Sequence, residues 1–222
     1  MDAKPVIGIV GGAGDLGSGL ARRWAAAGYR VVLGSRTPAR AAAAARDIAT
    51  EVGGEVRGAS NVGAANDGDV VVLAVPYSSH SETLREIRAA LAGKILVDAV
   101  VPLVPPKVSV AQLPKEGSAA QIAQTLLGAE TRVVSAFHNV GAAKLHAGGK
   151  VECDILVFGD DKSARETVIH LADVIGSRGV DGGALANSAA AEAMTTVLIG
   201  INRRYKIAGA GIRISGLPNE TN

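Results

Sequence analysis

Aromatic side chains are scarce in this 222-residue chain: one Trp, three Tyr and two Phe make up 3% of it. That scarcity argues against a pocket that cages a flat ligand between protein rings. A planar ligand bound here has to stack on something else. A single cysteine, Cys153, excludes an intrachain disulfide and a cysteine-rich metal cluster, and its apolar neighbours read as core. Charge of one sign is not in excess. Twenty-three basic against 21 acidic side chains give a formal net charge of +2, too little for a nucleic-acid footprint. No apolar run reaches the ~18 residues of a membrane span. Nothing ahead of the first apolar run reads as a secretory leader, and no repeat, charged tail or flexible linker interrupts the chain. These absences point to a cytoplasmic protein without a metal site, a nucleic-acid partner or a membrane partner.

What is present is small and apolar. Hydrophobic residues make up 48% of the chain and there are 28 glycines, so close approach of backbones must carry much of the packing. The chain is organised around its first forty residues. The apolar run 6–10 has strand length and meets a glycine turn, Gly11-Gly12-Ala13-Gly14-Asp15-Leu16-Gly17. A helix-forming stretch follows over 18–27, with Leu16, Leu20 and Trp24 on one face. Gly12, Gly14 and Gly17 match G-x-G-x-x-G between a strand and a helix. In that context the first glycine permits the tight turn, the second lets a pyrophosphate approach the backbone, and the third lets the helix pack on the strand. The helix N-terminus presents free N–H groups to the phosphates. A glycine turn without a ligand is the plain alternative. It is disfavoured because strand, turn, helix and second strand all fall in the expected order.

The second strand, 29–34, ends in Ser35-Arg36-Thr37-Pro38-Ala39-Arg40. An NAD site usually places Asp or Glu here, about 20 residues past the glycines, to bind the ribose 2′-hydroxyl. No acid is present. Ser35, Arg36 and Arg40 offer a hydroxyl and two guanidinium forks, the chemistry of a 2′-phosphate site. Solvated arginines at a helix start are the alternative, but the helix dipole disfavours cations there. NADP is therefore expected rather than NAD.

The remaining pattern alternates. A helix over 38–52, capped by Thr37 and opened by Pro38, leads to a strand over 55–59 and a brief helix or turn over 61–66. The apolar run 69–75 reads as a buried parallel strand that Val75-Pro76-Tyr77 converts into a loop at the carboxyl end of the sheet, where ligands bind in such folds. A helix over 82–91, a strand over 94–100, a helix over 118–127 capped by Ser118, and a strand over 132–137 follow, the last running into His138-Asn139. Beyond residue 140 the pattern gives a short helix over 142–146, a strand over 154–158, and a helix over 163–175 started by Asp160-Asp161. A short strand over 178–181, a long helix over 187–204 and an edge strand over 211–215 complete it, with the last five residues reading as frayed. The fold class is α/β: a Rossmann-type doubly wound parallel sheet over residues 1–140, with a smaller C-terminal α/β part over 141–222 packed against it. The second part is expected to complete a substrate cleft and to carry a dimer contact.

The chain resembles the NADPH-dependent coenzyme F420 reductases, also called F420H2:NADP oxidoreductases. The matching stretches are Gly12-Ala13-Gly14-Asp15-Leu16-Gly17, Gly34-Ser35-Arg36, Val72-Leu73-Ala74-Val75-Pro76-Tyr77, Glu116-Gly117-Ser118-Ala119-Ala120, Ala136-Phe137-His138-Asn139-Val140, Ile201-Asn202-Arg203-Arg204-Tyr205 and Gly211-Ile212-Arg213-Ile214. Further matches lie at 153–157 and 159–161. The resemblance implies a homodimer that passes a hydride between NADP and the deazaflavin F420. It also implies that Ser35, Arg36 and Arg40 hold the 2′-phosphate, and that the turn 12–17, Val75, Pro76, Tyr77, His138 and Asn139 line the cofactor cleft. Two positions depart from the pattern: Ala13, where Thr is familiar, and Gly141, where Ser is familiar. Membrane-bound ferric reductases carry a related reductase domain, but no membrane part is present here.

Hydride transfer between two stacked rings asks the protein for alignment and exclusion of water, because the cofactors carry the chemistry. No obligatory catalytic residue is then expected. A carbonyl reductase would need an acid to protonate the alkoxide. Hydroxyacid dehydrogenases supply a Lys from the long helix, and residues 187–205 contain none. His138, just past a strand end, is the candidate for positioning; His80, just past the Pro76 loop, is the weaker one. Lys144, Lys150, Arg203, Arg204, Lys206 and Arg213 are candidates to meet the anionic tail of F420. An NADP-dependent reductase of another heterocycle, a pterin or an imine, and a non-catalytic NADP-binding sensor stay open as alternatives.

Overall fold

The computed structural model describes residues 4–217; the C-terminal residues expected to fray, 218–222, lie outside the described residues. The chain forms one eight-stranded sheet. β1 (Ile7–Val10), β2 (Val31–Ser35), β3 (Val56–Ser60), β4 (Val70–Leu73), β5 (Ile95–Asp98) and β6 (Arg132–Ser135) pair in parallel, and β7 (Asp154–Gly159) and β8 (Arg178–Gly183) extend the same sheet. The order is β3-β2-β1-β4-β5-β6-β7-β8. It reverses between β1 and β4, the topological switch point at which open α/β sheets open a crevice. The chain turns back after β6, so β7 joins antiparallel, and β8 then pairs parallel to β7.

Helices cover both faces, which is why β1, β4 and β5 are buried along their whole length. On one face α1 (Asp15–Ala26), α2 (Pro38–Val52) and α7 (Lys162–Val174) bury Leu20, Trp24, Ala41, Ile48, Val168 and Leu171 against Ile7, Ile9, Leu33, Val72, Val97 and Ile155. On the other, α3 (Asn61–Asp67), α4 (His80–Ile87) and α5 (Ala119–Leu127) bury Ala65, Leu84, Ile87, Ala123 and Leu127 against Val10, Val71, Leu73 and Leu96. α6 (Ala142–His146) packs beside α1, and α8 (Ser188–Tyr205) closes the C-terminal side. Small residues let these layers touch. A Cβ on Gly58 of β3 would lie 2.3 Å from Ala42 N of α2, and one on Gly8 would lie 2.1 Å from Ala64 O of α3. The abundance of Ala and Gly and the scarcity of aromatics thus have one cause.

Local signals mostly act as the sequence suggests. Ser118 Oγ caps α5 by accepting from Gln121 N, and Asp161 caps α7 by accepting from Ala164 N. Three details differ. Thr37 makes no side-chain cap bond; instead Ser35 Oγ accepts from Thr37 N at 3.1 Å. The helix expected over 82–91 begins at His80 and tightens into a 3₁₀ turn over Arg88–Leu91. Residues 211–215 do not form the expected edge strand. Asp154 N donates to Ile212 O and Ile214 N to Asp154 Oδ2, and because the second bond goes to a side chain no backbone ladder forms.

Candidate functional site

The glycine turn, the end of β2 and the end of β4 meet at the switch point around a cavity of about 180 Å³. It is lined by Gly11, Ala13, Gly14, Ser35, Arg36, Arg40, Asn61, Ala74, Val75, Pro76, Ser79 and Thr83. The glycines divide the work differently from the motif reading. Gly11, not Gly12, makes the left-handed turn, with φ +80° and no room for a Cβ, which would sit 2.5 Å from Ala74 O. Gly12 and Gly17 serve packing: a Cβ on Gly17 would lie 2.8 Å from Gly12 Cα, and one on Gly12 2.8 Å from Leu33 Cδ2. Gly14 is the N-cap residue of α1, and its nearest neighbour to a Cβ would be Gly11 O at 3.3 Å. The space over Gly14 therefore belongs to the cavity rather than to the protein.

The other expected residues divide into two sets. Ser35, Arg36, Arg40, Val75 and Pro76 share the cavity with Ala13 and Gly14, whereas Tyr77, His138 and Asn139 do not line it. Asp15 lies in the first turn of α1 and its carbonyl meets His146 Nε2 at 2.9 Å; Leu16 packs against the core. Arg23, on the same helix, spans α1 and α6. Its guanidinium donates to Leu145 O and Lys144 O at 2.8 Å and to Gly149 O at 2.5 Å. The turn that opens the cavity is in this way tied to the C-terminal part.

Beside the cavity, at the carboxyl ends of β5 and β6, lies a buried polar cluster. His80 is not on the surface or free in a cleft: it is buried, and its Nε2 lies 2.7 Å from Asp98 Oδ2. A carboxylate only accepts, so Nε2 carries the proton. Asp98 Oδ1 accepts from Val100 N, and the Tyr77 ring stacks on His80 with centroids 6.2 Å apart. His138 is buried with Nε2 3.4 Å from Ser135 Oγ. Burial holds the His138 ring neutral, lowering its pKa to about 4, although the nearby Asp98 charge acts the other way. The preceding Phe137 sits at φ +67°, a left-handed conformation unusual for a bulky residue. It is held by edge-on contact with Trp24 at 5.7 Å, while Thr195 Oγ1 of α8 donates to His138 O. Asn139 is structural on one side, donating to Asp154 O. Glu192 completes the cluster. It is fully buried in α8, and its two oxygens accept from Ala119 N at 2.7 Å and Ala120 N at 3.2 Å, capping α5 from 73 residues away. Burial pushes its pKa up to about 8, the two N–H donors pull it down, and Asp98 adds to the rise.

Sequence comparison bears on this arrangement directly. An F420-dependent NADP reductase of Methanocaldococcus jannaschii is 42% identical over 221 residues, covering 95% of this chain and 98% of that protein. The chain belongs to the F420-dependent NADP reductase family. Residues 6–102, which contain the cavity, match the family described as NADP oxidoreductase coenzyme F420-dependent. A second F420-dependent NADP reductase, from Methanothermobacter marburgensis, is 40% identical over 222 residues, with 96% and 99% of the two chains covered. A crystal structure from Arthrobacter sp. FB24 shares the fold, with TM-score 0.80 at 24% identity over 96% of this chain and 100% of that one.

In this member of the family, sequence reasoning missed Asn61, Asp98 and Glu192. A usable signal existed for two of them. Asp98 ends an apolar strand and Glu192 stands alone in an apolar helix, positions where an acid is costly unless it has a partner. The two titrating groups give a stability test. The unfolded Glu192 carboxyl titrates near 4.5 and the folded one near 8, so its contribution is complete below the lower value and is lost as pH rises through the upper one. His138 runs the other way, its contribution being lost as pH falls from 6.5 to about 4. The two ranges overlap below pH 6.5, and above it Glu192 acts without His138. The melting temperature is expected to fall from pH 6.5 to 8 in the wild type, and that fall to flatten in Glu192→Gln, measured by calorimetry. Equal slopes in both proteins would remove Glu192 as the cause.

Proposed function

We propose that the switch-point cavity holds the 2′-phosphoadenosine side and pyrophosphate of NADP(H), and that the second ring, of F420, meets the nicotinamide beside the His138–Asp98 cluster. The reaction is the family's: an oxidoreductase exchanging a hydride between NADP(H) and F420. The observation that carries the cofactor assignment is that Arg36, Arg40 and Ser35 line one cavity with Gly14, where a Cβ would meet only Gly11 O at 3.3 Å and space is left for a phosphate. When bound, the nicotinamide and deazaflavin rings would supply the hydride chemistry between them. The protein contributes the rest. The N–H groups at the start of α1 take the pyrophosphate. The two guanidinium forks take the 2′-phosphate. Val75 and Pro76 form the apolar wall of the cavity.

No side chain in this reading has to give a proton to the reacting carbon. His138 is neutral at physiological pH and is fixed by Thr195 through its carbonyl and by the Phe137 turn, which suits positioning. His80 braces the Pro76 loop against Asp98. We assign residues 1–140 to NADP and residues 141–222 to the second-ring side, where Lys144, Lys150, Arg203, Arg204, Lys206 and Arg213 are candidates for the F420 tail. Met194, Val197 and Tyr205 are exposed along α8, with Ile207 just beyond it. This is the face we propose for a homodimer. The buried, unpaired Cys153 agrees with the reducing cytoplasm proposed as its compartment.

Mixing NADPH with F420 and this protein should bleach the deazaflavin absorbance. His138→Ala and His80→Ala should each slow the single-turnover step by roughly tenfold or less, whereas removal of a general acid costs ~10²–10⁴-fold. A thousandfold loss in either variant, with NADPH binding intact, would turn the cluster into an acid–base site and favour an imine or carbonyl substrate.

A further inference from the structure

Asn61 opens α3 at the carboxyl end of β3, and Ser60 Oγ fixes the turn by accepting from Gly63 N at 3.0 Å. The residue is only 3% exposed, yet it lines the cavity together with Ser35, Arg36 and Arg40. Its Oδ1 is buried and has no hydrogen-bond partner among the described residues. Buried amide groups are ordinarily paired, so one left unpaired at the wall of a cavity is a group waiting for a ligand. Beside it, a Cβ on Gly34 would be a tight fit, 3.2 Å from Asn61 Oδ1 and 3.0 Å from Ala64 Cβ. The amide is therefore wedged at the β2 end, next to the residues that carry the phosphate-binding charge.

From this juxtaposition we infer that Asn61 is a specificity-determining contact to the 2′-phosphorylated ribose of the cofactor. The inference rests on the NADP reading of the cavity. The two arginines and the serine hydroxyl supply donors to the phosphate. A 2′-phosphorylated ribose also presents a donor of its own, the free 3′-hydroxyl, and none of the three charged or hydroxyl groups is a dedicated acceptor for it. An amide answers both needs: its oxygen accepts from the hydroxyl and its N–H donates to the phosphate. A carboxylate of the same shape keeps the acceptor but loses the donor and repels the phosphate. That is the chemistry that selects an unphosphorylated ribose. Asparagine here adds a neutral check on the phosphate that does not depend on salt-screened charge.

The test uses binding alone. Titration calorimetry with adenosine 2′,5′-bisphosphate and with adenosine 5′-monophosphate is compared for the full-length wild type, Asn61→Asp and Asn61→Ala, with circular dichroism as the check of folding. Asn61→Asp should weaken the bisphosphate on the order of 30-fold or more and the monophosphate by about threefold or less. Asn61→Ala, which adds no charge and keeps the test open if the aspartate variant misfolds, should weaken the bisphosphate roughly tenfold. Unchanged bisphosphate affinity in folded Asn61→Ala, or equal weakening of both ligands in Asn61→Asp, overturns the inference and leaves the NADP site standing. A wild type that binds neither ligand overturns the NADP site and the inference with it.

Discussion

Replacing Arg36 by Asp together with Arg40→Ala should raise the KM for NADPH on the order of a hundredfold while that for NADH changes by only a few-fold. Both side chains are exposed at the cavity mouth, so neither holds the fold together. Each is expected to make a charge-assisted hydrogen bond to the 2′-phosphate worth ~1.5–3 kcal/mol, and exposure to solvent places both at the low end of that range. Two such contacts give ~3 kcal/mol, about a hundredfold in affinity. The aspartate adds repulsion toward a phosphate and offers an acceptor to an unphosphorylated ribose, which widens the gap between the two cofactors. Steady-state kinetics with both nucleotides checks it. Equal weakening of NADPH and NADH would place the arginines away from the 2′-phosphate.

Gly14→Val should remove measurable dinucleotide binding from a protein that still folds. At φ −86° and ψ 169° Gly14 is in extended backbone that a valine adopts without strain. A Cβ there meets nothing in the protein closer than Gly11 O at 3.3 Å. The branched side chain would instead fill the cavity in front of the N–H groups of α1, where the pyrophosphate must come. The contrast with its neighbours is part of the prediction. Gly17→Val forces a Cβ to 2.8 Å from Gly12 Cα, and Gly8→Val one to 2.1 Å from Ala64 O, so both should lose soluble protein rather than affinity. Equilibrium titration of NADPH fluorescence, with circular dichroism alongside, separates the cases. Wild-type affinity in folded Gly14→Val would mean that the phosphates bind elsewhere.

The parts of this protein that were legible in the sequence are those whose partners are local in the chain. The strand–glycine–helix order and the caps at Ser118 and Asp161 each involve residues a few positions apart, and the structure places them as read; Arg36 and Arg40, also legible after β2, line the cavity. The polar cluster was not legible because its partners are distant in the chain. His80 pairs with Asp98 across 18 positions and Glu192 caps α5 across 73. Only the packing of α4 and α8 against the sheet brings these groups together, and no periodicity encodes it. His80 accordingly read as a residue beyond a loop, when its ring is a buried brace. Backbone conformation was equally hidden. The motif assigned the tight turn to Gly12, but the residue with positive φ is Gly11, and nothing in the letters Phe137-His138 announces a left-handed phenylalanine. Asn61 lay inside a stretch read as a brief helix or turn. That its Oδ1 is buried without a partner at the cavity wall shows only in the structure.

The central claim is that a hydride passes directly from one bound ring to the other. It is tested most directly by mixing NADPH carrying deuterium at the transferred C4 position with F420 and the protein in ordinary water, and weighing the reduced F420 after a single turnover. Direct transfer predicts that the deuterium appears, one atom per molecule, on the deazaflavin ring, and that repeating the reaction with unlabelled NADPH in deuterated water leaves that carbon unlabelled. Deuterium lost to solvent, or a deazaflavin that stays oxidised while NADPH is bound, would contradict the account.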